Sequence, residues 1–262
     1  MPDTRKLPFG IKNRQRDPDE WDKTIVAFQS PYRLTDLCID QSNEPTGESK
    51  TRKQEFKVRL ATSEDRRKSA SLLIEKMYSW RGYDADVLHQ DPNKITLMAY
   101  QGDVVVGTLT LGLDSPDGLV VDQLYKREAD QLRDAGRKPC DITRLAVDQD
   151  IKSKSVLGAL FHLSFIYGHT IHHGTDFLIE VNPRHVLFYQ RMLGFEPFGE
   201  EKICPRVNAP AVLLRLDLAY ADEQIVRHGG TAATAKGVKS IYPYFFSRED
   251  ELGITQRLLR GE

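Results

Sequence analysis

The chain has 262 residues, 40% of them hydrophobic and 29% charged, with a formal net charge of -1. This composition fits a globular protein of one generous domain, or one domain with extensions. The near-zero charge argues against a general nucleic-acid binder, so any basic partner site must be local.

The three cysteines, Cys38, Cys140 and Cys204, are widely spaced. No pair has metal-ligand spacing, and an odd number makes no complete disulfide framework, so thiols in a reducing compartment are expected. The N-terminal Met-Pro-Asp-Thr-Arg-Lys carries no apolar signal region, and no run approaches the ~20 apolar residues of a membrane span. The expected location is cytoplasmic, with no membrane span.

Residues 1–54 are polar and rich in turn formers, and Gln41–Lys50 reads as a flexible linker. Weak order is expected before about residue 22. An apolar island, Ile25–Phe28 with Tyr32 and Leu34, is expected to pack on the core as an arm. The alternation in Phe56–Leu60 suits a half-buried strand. Ser63 then caps a helix with Glu64 and Asp65 in its first turn, where the helix dipole favours acids. Ala70, Leu73, Ile74 and Met77 follow at helical spacing, and the helix ends near Trp80–Gly82. Ile95–Tyr100 and Val104–Leu113 form a hairpin around Gln101-Gly102-Asp103. Val105, Leu109, Leu111 and Leu113 share one face of the second strand, and Gly107 on that face marks a close approach or a bulge.

Residues 121–136 read as a charged amphipathic helix stopped by Gly136. Cys140–Asp148 is a strong strand that leads through a short Lys/Ser loop into a helix at 154–170. Asp176–Val181 is the next strand. Asn182 as cap and Pro183 in the first turn start a helix that runs to Leu193 and stops at Gly194. Ala211–Leu218 is a late strand, and 228–240 returns to linker-like composition. Ile241-Tyr-Pro-Tyr-Phe-Phe246 is dense in aromatics and would aggregate if exposed, so it is expected to dock, with Ser247 capping a last helix to Leu259. The order of elements gives an α+β fold with one central mixed sheet flanked by helices. The expected division is an arm and linker at 1–54, a main domain at 55–220 and a docking extension at 221–262.

At this point the residues carry a resemblance. Asp141-Ile-Thr-Arg-Leu-Ala-Val147, its following loop and helix, and Ile179–Phe195 resemble the second half of a Gcn5-related N-acetyltransferase (GNAT) domain. Tyr189-Gln-Arg-Met-Leu-Gly-Phe195 matches that family's Tyr-x-x-x-Leu-Gly-Phe. The resemblance covers residues 56–218. The Arg144-Leu-Ala-Val strand, the helical insert before it and Ile241–Phe246 narrow it to the N-acyl amino acid synthases of the FeeM type, relatives of the acyl-homoserine-lactone synthases. It implies transfer of a long-chain acyl group from acyl carrier protein to an amino acid such as tyrosine.

The chemistry constrains the site independently. A neutral amine must attack a thioester carbonyl, and the negative charge that develops on oxygen needs a donor. The resemblance assigns that donor to backbone N–H groups around Leu145 to Val147, and assigns Tyr189 to the leaving thiolate, to which a phenol can donate. Glu180, Asp141 and His185 compete for the role of base. A buried carboxyl with a raised pKa suits it, though Glu180 also reads as a solvent-facing strand residue. Arg144 inside a strand needs a carboxylate. Asp141 or Glu180 would be its structural partner, and the acceptor's carboxylate its functional one. Leu145, Asn182 and His185 complete the candidate substrate contacts.

The loop Asp150–Gly158 stands where the family binds the donor phosphate, at a helix N-terminus that favours anions. Lys152, Ser153, Lys154 and Ser155 replace the usual glycines, and Gly158 comes late. That departure favours the single phosphate of a carrier-protein phosphopantetheine over coenzyme A, and the two lysines suit an acidic carrier. No tightly bound cofactor is expected. His169, His172 and His173 read as C-terminal dipole partners of their helix, so no metal is expected either. There is no Walker A sequence, G-x-S-x-G elbow or nucleic-acid module. The expected activity is an N-acyltransferase with acyl carrier protein as donor and partner, an amino acid as acceptor and direct attack. The rivals are an acetyl-CoA-dependent N-acetyltransferase, an autoinducer synthase and a non-catalytic carrier-protein binding module. The aromatic tail and the segments Leu72–Tyr78 and Leu119–Leu132 are expected to build an apolar tunnel for the acyl chain.

Overall fold

A computed structural model describes residues 24–30, 54–79, 91–148, 153–235 and 237–260. The linker Gln41–Lys50, the segment before residue 22, Tyr32, Leu34, Cys38, the expected helix end at Trp80–Gly82 and Lys152 lie outside the described residues.

Nine strands are described: β1 (Thr24–Ser30), β2 (Gln54–Leu60), β3 (Lys94–Gln101), β4 (Val104–Leu113), β5 (Pro139–Val147), β6 (Asp176–Val181), β7 (Glu196–Pro197), β8 (Lys202–Cys204) and β9 (Ala209–Asp217). They form one mixed sheet in the order β1-β2-β3-β4-β5-β6-β9-β7, with β8 also paired to β9. Only β5 and β6 pair in parallel. The crossover between them is the helix α3 (Lys154–Phe165), which a parallel connection requires. The other helices are α1 (Glu64–Ser79), α2 (Asp122–Asp134), α4 (Val186–Leu193), α5 (Leu218–His228) and α6 (Arg248–Arg260).

Both faces of the sheet are covered, so its central strands are apolar nearly throughout; seven consecutive residues of β4 are buried. On one face α3 packs Val156, Leu160 and Leu163 against Leu97, Leu109, Leu111 and Phe177. On the other, α1 sets Ala70, Ile74 and Met77 against Met98 and Ala146, and α2 sets Tyr125 and Ala129 against Leu178 and Leu213.

Two details of β4 depart from simple alternation. Val106 is an extra residue, since Ala99 pairs with Gly107 and Tyr100 with Val105. This bulge reverses the parity of the strand, so Val105 packs on the α1 side instead of sharing a face with Leu109. Gly107 does mark a close approach, because a side chain there would press on Leu160 Cδ1 at 3.2 Å.

The expected helix at 154–170 is α-helical to Phe165 and continues as a π-helical turn, Ile166–Ile171. Gly168 in that turn leaves room for the ring of Phe177. The helix expected from Pro183 begins as a 3₁₀ turn, Pro183–His185, before α4. Asn182 accepts from Arg184 N–H at its start, and Gly194 closes α4 at φ 80. Helix α5 is an addition to the expected elements: Leu218 ends no strand but starts this helix behind the cap Asp217, with Leu218, Ala221 and Ile225 on its buried face.

The first described strand and the C-terminal segment from Ile241 join the core. β1 pairs with β2, and Ile25 belongs to the main cluster. Ile241, Tyr242 and Phe245 are buried in the same cluster, where the two apolar side chains contribute about 2 kcal/mol each by area. Ile241 N–H donates to the Met192 carbonyl at 2.9 Å and the Tyr242 hydroxyl to the Leu193 carbonyl at 2.7 Å, fixing the segment to the end of α4. The buried His162 of α3 receives the Phe246 N–H on Nδ1 (3.0 Å) and faces Glu251 of α6 through Nε2 at 3.3 Å. Its ring stacks on Phe245 and Phe246. Arg257 of α6 reaches the Ile25 carbonyl at 2.9 Å, so the first strand and the last helix hold each other.

Candidate active site

The parallel partners β5 and β6 pair only over Pro139–Asp141 with Asp176–Leu178. Beyond these residues the ladder is not continued, and β5 carries a bulge. Thr108 pairs with Ala146 and Thr110 with Thr143, so Arg144 and Leu145 together oppose Leu109. Arg144 is left-handed at φ 51, a conformation costly for a side-chain-bearing residue, and Thr108 Oγ1 holds its carbonyl at 2.9 Å. Strain of this kind, held by the surrounding sheet, is a feature of functional sites.

A pocket of about 610 Å³ opens where the two strands separate. Ile142, Thr143, Arg144 and Leu145 of β5 line one side, and Glu180, Val181 and Asn182 the other. The start of α4 adds His185 and Tyr189, the segment leading into α2 adds Val120 and Val121, and the stretch after β8 adds Arg206 and Val207. Six of the residues singled out from the sequence therefore meet in one cavity: Arg144, Leu145, Glu180, Asn182, His185 and Tyr189.

Glu180 projects from β6 toward α2, on the same face as Leu178. Its side chain is 9% exposed, so it is not the solvent-facing strand residue that the sequence also allowed. Its Oε2 pairs with Arg206 and receives a long Cys204 Sγ contact at 3.8 Å. Its Oε1 is buried with no hydrogen-bond partner. Burial raises the Glu180 carboxyl above its ordinary range, the Arg206 guanidinium pulls it back, and Asp141 pushes it up again.

Arg144 pairs with neither Asp141 nor Glu180. Among the described residues its guanidinium has no hydrogen-bond or ion-pair partner. It lines the pocket half-buried, as a cation without an internal anion.

Asp141 stands apart from the cavity lining. It is 1% exposed, accepts from Val121 N–H at 3.2 Å on Oδ2, and leaves Oδ1 unpaired against Gly112. Burial pushes this carboxyl up to about 6 against the pull of the Val121 and Val120 amides. Its place is behind the pocket wall, where it holds the residues that lead into α2. Val147 lies outside the lining as well, paired with Gly107 in the ladder.

Ser153 caps α3 by accepting from Val156 N–H at 3.3 Å. Lys154 lies 5.3 Å from the centre of the Tyr244 ring, and Ser155 follows in the first turn. Gly158 belongs to a different contact from the one its place in the loop suggested. A side chain there would meet the Tyr244 carbonyl oxygen at 2.8 Å, so this glycine admits the C-terminal segment against α3. The aromatic tail itself packs into the core and does not line this pocket; Ile74 and Val120 supply apolar lining from the two segments expected to build an acyl tunnel.

Arg206 and Gln123 were not singled out from the sequence. Arg206 sits in the turn between the short β8 and β9 with no local pattern to mark it, and only the pairing of β8 with β9 carries it to Glu180. No group of three or more metal-ligating side chains with the geometry to hold an ion occurs among the described residues, and none of their helices is long and apolar enough to cross a membrane.

The model of the FeeM family of N-acyl amino acid synthases matches residues 69–217. Among solved structures, FeeM, an N-acyl amino acid synthase from uncultured soil microbes, is 26% identical with a TM-score of 0.59, covering 64% of this chain and 93% of its own. An acyl-CoA N-acyltransferase from Pseudomonas aeruginosa is 14% identical over 61% of this chain and 97% of its own, with a TM-score of 0.43. The acyl-homoserine-lactone synthase LasI is 12% identical over 63% and 91%, with a TM-score of 0.42. A search of the curated proteins found no match. The family match spans more than half of the chain and includes both strands of the pocket, so the chain belongs to the FeeM family of N-acyl amino acid synthases and is an acyltransferase.

Proposed function

We propose that this protein transfers a long-chain fatty acyl group from the thioester of acyl carrier protein to the amino group of an amino acid, with a tyrosine-like acceptor. One observation carries the proposal: a buried carboxylate oxygen on Glu180 and a guanidinium on Arg144, both without a partner among the described residues, line the same cavity. A free amino acid has the complementary pair of groups, an ammonium and a carboxylate. An unpaired guanidinium binds a carboxylate through two parallel hydrogen bonds.

In the reaction that follows, Glu180 Oε1 takes a proton from the acceptor's ammonium and leaves the neutral amine. The amine attacks the thioester carbonyl, so the C–N bond forms as the C–S bond breaks. The bulge at Arg144–Leu145 interrupts the β5 ladder beside the pocket, and we assign the donor for the carbonyl oxygen to the backbone around Leu145, the residue of Leu145 to Val147 that lines the cavity. Tyr189 passes a proton to the departing thiolate and recovers one from the amide nitrogen. The proton that Glu180 took passes to solvent, which returns the carboxylate for the next turnover. Asn182 and His185 flank the acceptor's place.

For the donor, Ser153, Lys154 and Ser155 at the start of α3, with Lys152 before them, receive the phosphopantetheine phosphate and the acidic face of the carrier. The glycine-poor sequence of this loop, and the use of Gly158 to seat Tyr244, favour a carrier protein over coenzyme A. A carrier-protein donor places the enzyme in the cytoplasm.

The test is direct. Purified protein with hexadecanoyl acyl carrier protein and a mixture of amino acids is expected to yield an N-acyl amino acid by mass spectrometry. Absence of product for every acceptor contradicts the proposal. Thermal stabilisation by coenzyme A alone, with none by the acylated carrier, instead favours a coenzyme A-dependent N-acetyltransferase.

A further inference from the structure

Arg206 reaches from one wall of the pocket to two others. It follows β8, and its Nη2 pairs with Glu180 Oε2 on β6. Its Nη1 donates to Gln123 Oε1 at 2.9 Å and to the Val120 carbonyl at 3.5 Å, both at the start of α2. The planar guanidinium is thus anchored on one side by α2 and presented to β6 on the other. A carboxylate held by neither oxygen has no fixed direction. With Oε2 bound, the direction of Oε1 is set, and Oε1 is the atom left buried and unpaired.

We propose that Arg206 is the positioning residue of this site: by binding Oε2 it keeps Glu180 ionised and aims Oε1 at the place where the acceptor's amine arrives. The inference rests on the reading of Glu180 as the group that takes the amine's proton. It separates the two half-buried cations by task. Arg206 has its contacts within the protein, and Arg144 is the one left for the acceptor's carboxylate.

The charges facing Glu180 come from three elements. Arg206 and Cys204 approach from β8 and the turn after it, Asp141 from β5, and Tyr125 from α2. Burial and the Asp141 charge raise the Glu180 carboxyl, and Arg206 is the one cation among these groups that opposes them. Losing it moves the protonation of Glu180 to higher pH.

The experiment measures that protonation and the rate together, on the full chain. The ¹³C carboxyl signal of Glu180, assigned by its loss in E180Q, is titrated in the wild type, R206M and R206K. Turnover of hexadecanoyl acyl carrier protein with tyrosine is followed over the same pH range. In R206M the Glu180 titration moves to higher pH, the acid limb of kcat/KM moves with it, and kcat at alkaline pH stays on the order of tenfold low because the aim is lost as well. R206K keeps a charge but lacks the fork that grips Gln123 and Val120. It keeps the titration near that of the wild type and loses kcat on the order of tenfold because the aim is lost. R206K also serves if R206M fails to fold.

An unmoved Glu180 titration in R206M overturns the inference, as does an R206K enzyme with wild-type kcat. A raised KM for tyrosine with unchanged kcat and an unmoved acid limb overturns it by making Arg206 a substrate contact. Wild-type turnover by E180Q removes Glu180 as the base and the inference with it. Loss of turnover in E180Q beside a wild-type pH profile in R206M defeats the inference about Arg206 alone.

Discussion

Replacing Asp141 with asparagine isolates one buried ionisation behind the pocket wall. Burial lifts this carboxyl from its ordinary 3.8 to about 6 in the folded chain. A folded-state pKa above the unfolded one means that the native chain holds the proton more tightly. The stability from this group is therefore complete below about pH 3.8, is lost as the pH rises toward 6, and stays lost above it. The two values differ by about 2 pH units, at about 1.4 kcal/mol each, so the loss is about 3 kcal/mol. Asparagine keeps the shape and an acceptor for the Val121 amide but cannot ionise. Urea unfolding of wild type and D141N at a series of pH values reads the difference directly. D141N gains about 3 kcal/mol on the wild type between pH 4 and 7, on top of any constant cost of placing an amide against Gly112. A difference that is flat or falls with pH refutes the burial argument for Asp141.

Three further outcomes follow from the same geometry. Arg144→Gln removes the cation left for the acceptor's carboxylate. It is expected to raise KM for tyrosine about 30- to 100-fold, the equivalent of about 2–3 kcal/mol, while tyramine, which has no carboxylate, is acylated as before; equal losses for both acceptors contradict the assignment. Gly158→Val drives a side chain into the Tyr244 carbonyl at 2.8 Å and is expected to destabilise the fold by about 1–3 kcal/mol, read as a lower Tm. Tyr242→Phe loses the 2.7 Å bond to the Leu193 carbonyl and is expected to cost about 1 kcal/mol in urea unfolding with kcat unchanged; a fall in kcat means that the tail shapes the site.

What the sequence made legible was whatever depends on local pattern. The Phe56–Leu60 alternation, the Asn182-Pro183 start and Gly194 stop of α4, and the apolar Asp176–Val181 run each encode their element in a few neighbouring residues. The helical spacing of Leu218, Ala221 and Ile225 behind Asp217 was an equally local signal, hidden by its continuity with the apolar end of β9. The parity of β4 was not legible, because one inserted residue at Val106 exchanges the faces without altering the composition. In the site, Arg144 and Glu180 stood out as charged groups inside apolar strands, and Tyr189 through its match to the Tyr-x-x-x-Leu-Gly-Phe motif. Their partners did not. Arg206 comes from 26 residues beyond Glu180 in sequence, and Asp141, three residues before Arg144, points instead at the Val121 amide. Such pairings are set by which strands adjoin in the sheet, a non-local property that no short window contains.

The central claim is that the cavity between β5 and β6 takes a zwitterionic amino acid, its amine to Glu180 and its carboxylate to Arg144. Single-turnover acylation by hexadecanoyl acyl carrier protein, with products identified by mass spectrometry, tests it in three enzymes: wild type, E180Q and R144Q. The account predicts N-acyl tyrosine from the wild type, a rate at least ~10²-fold lower in E180Q at saturating tyrosine, and a loss in R144Q that saturating tyrosine recovers. N-acyl tyrosine formed at the same rate by all three enzymes contradicts it.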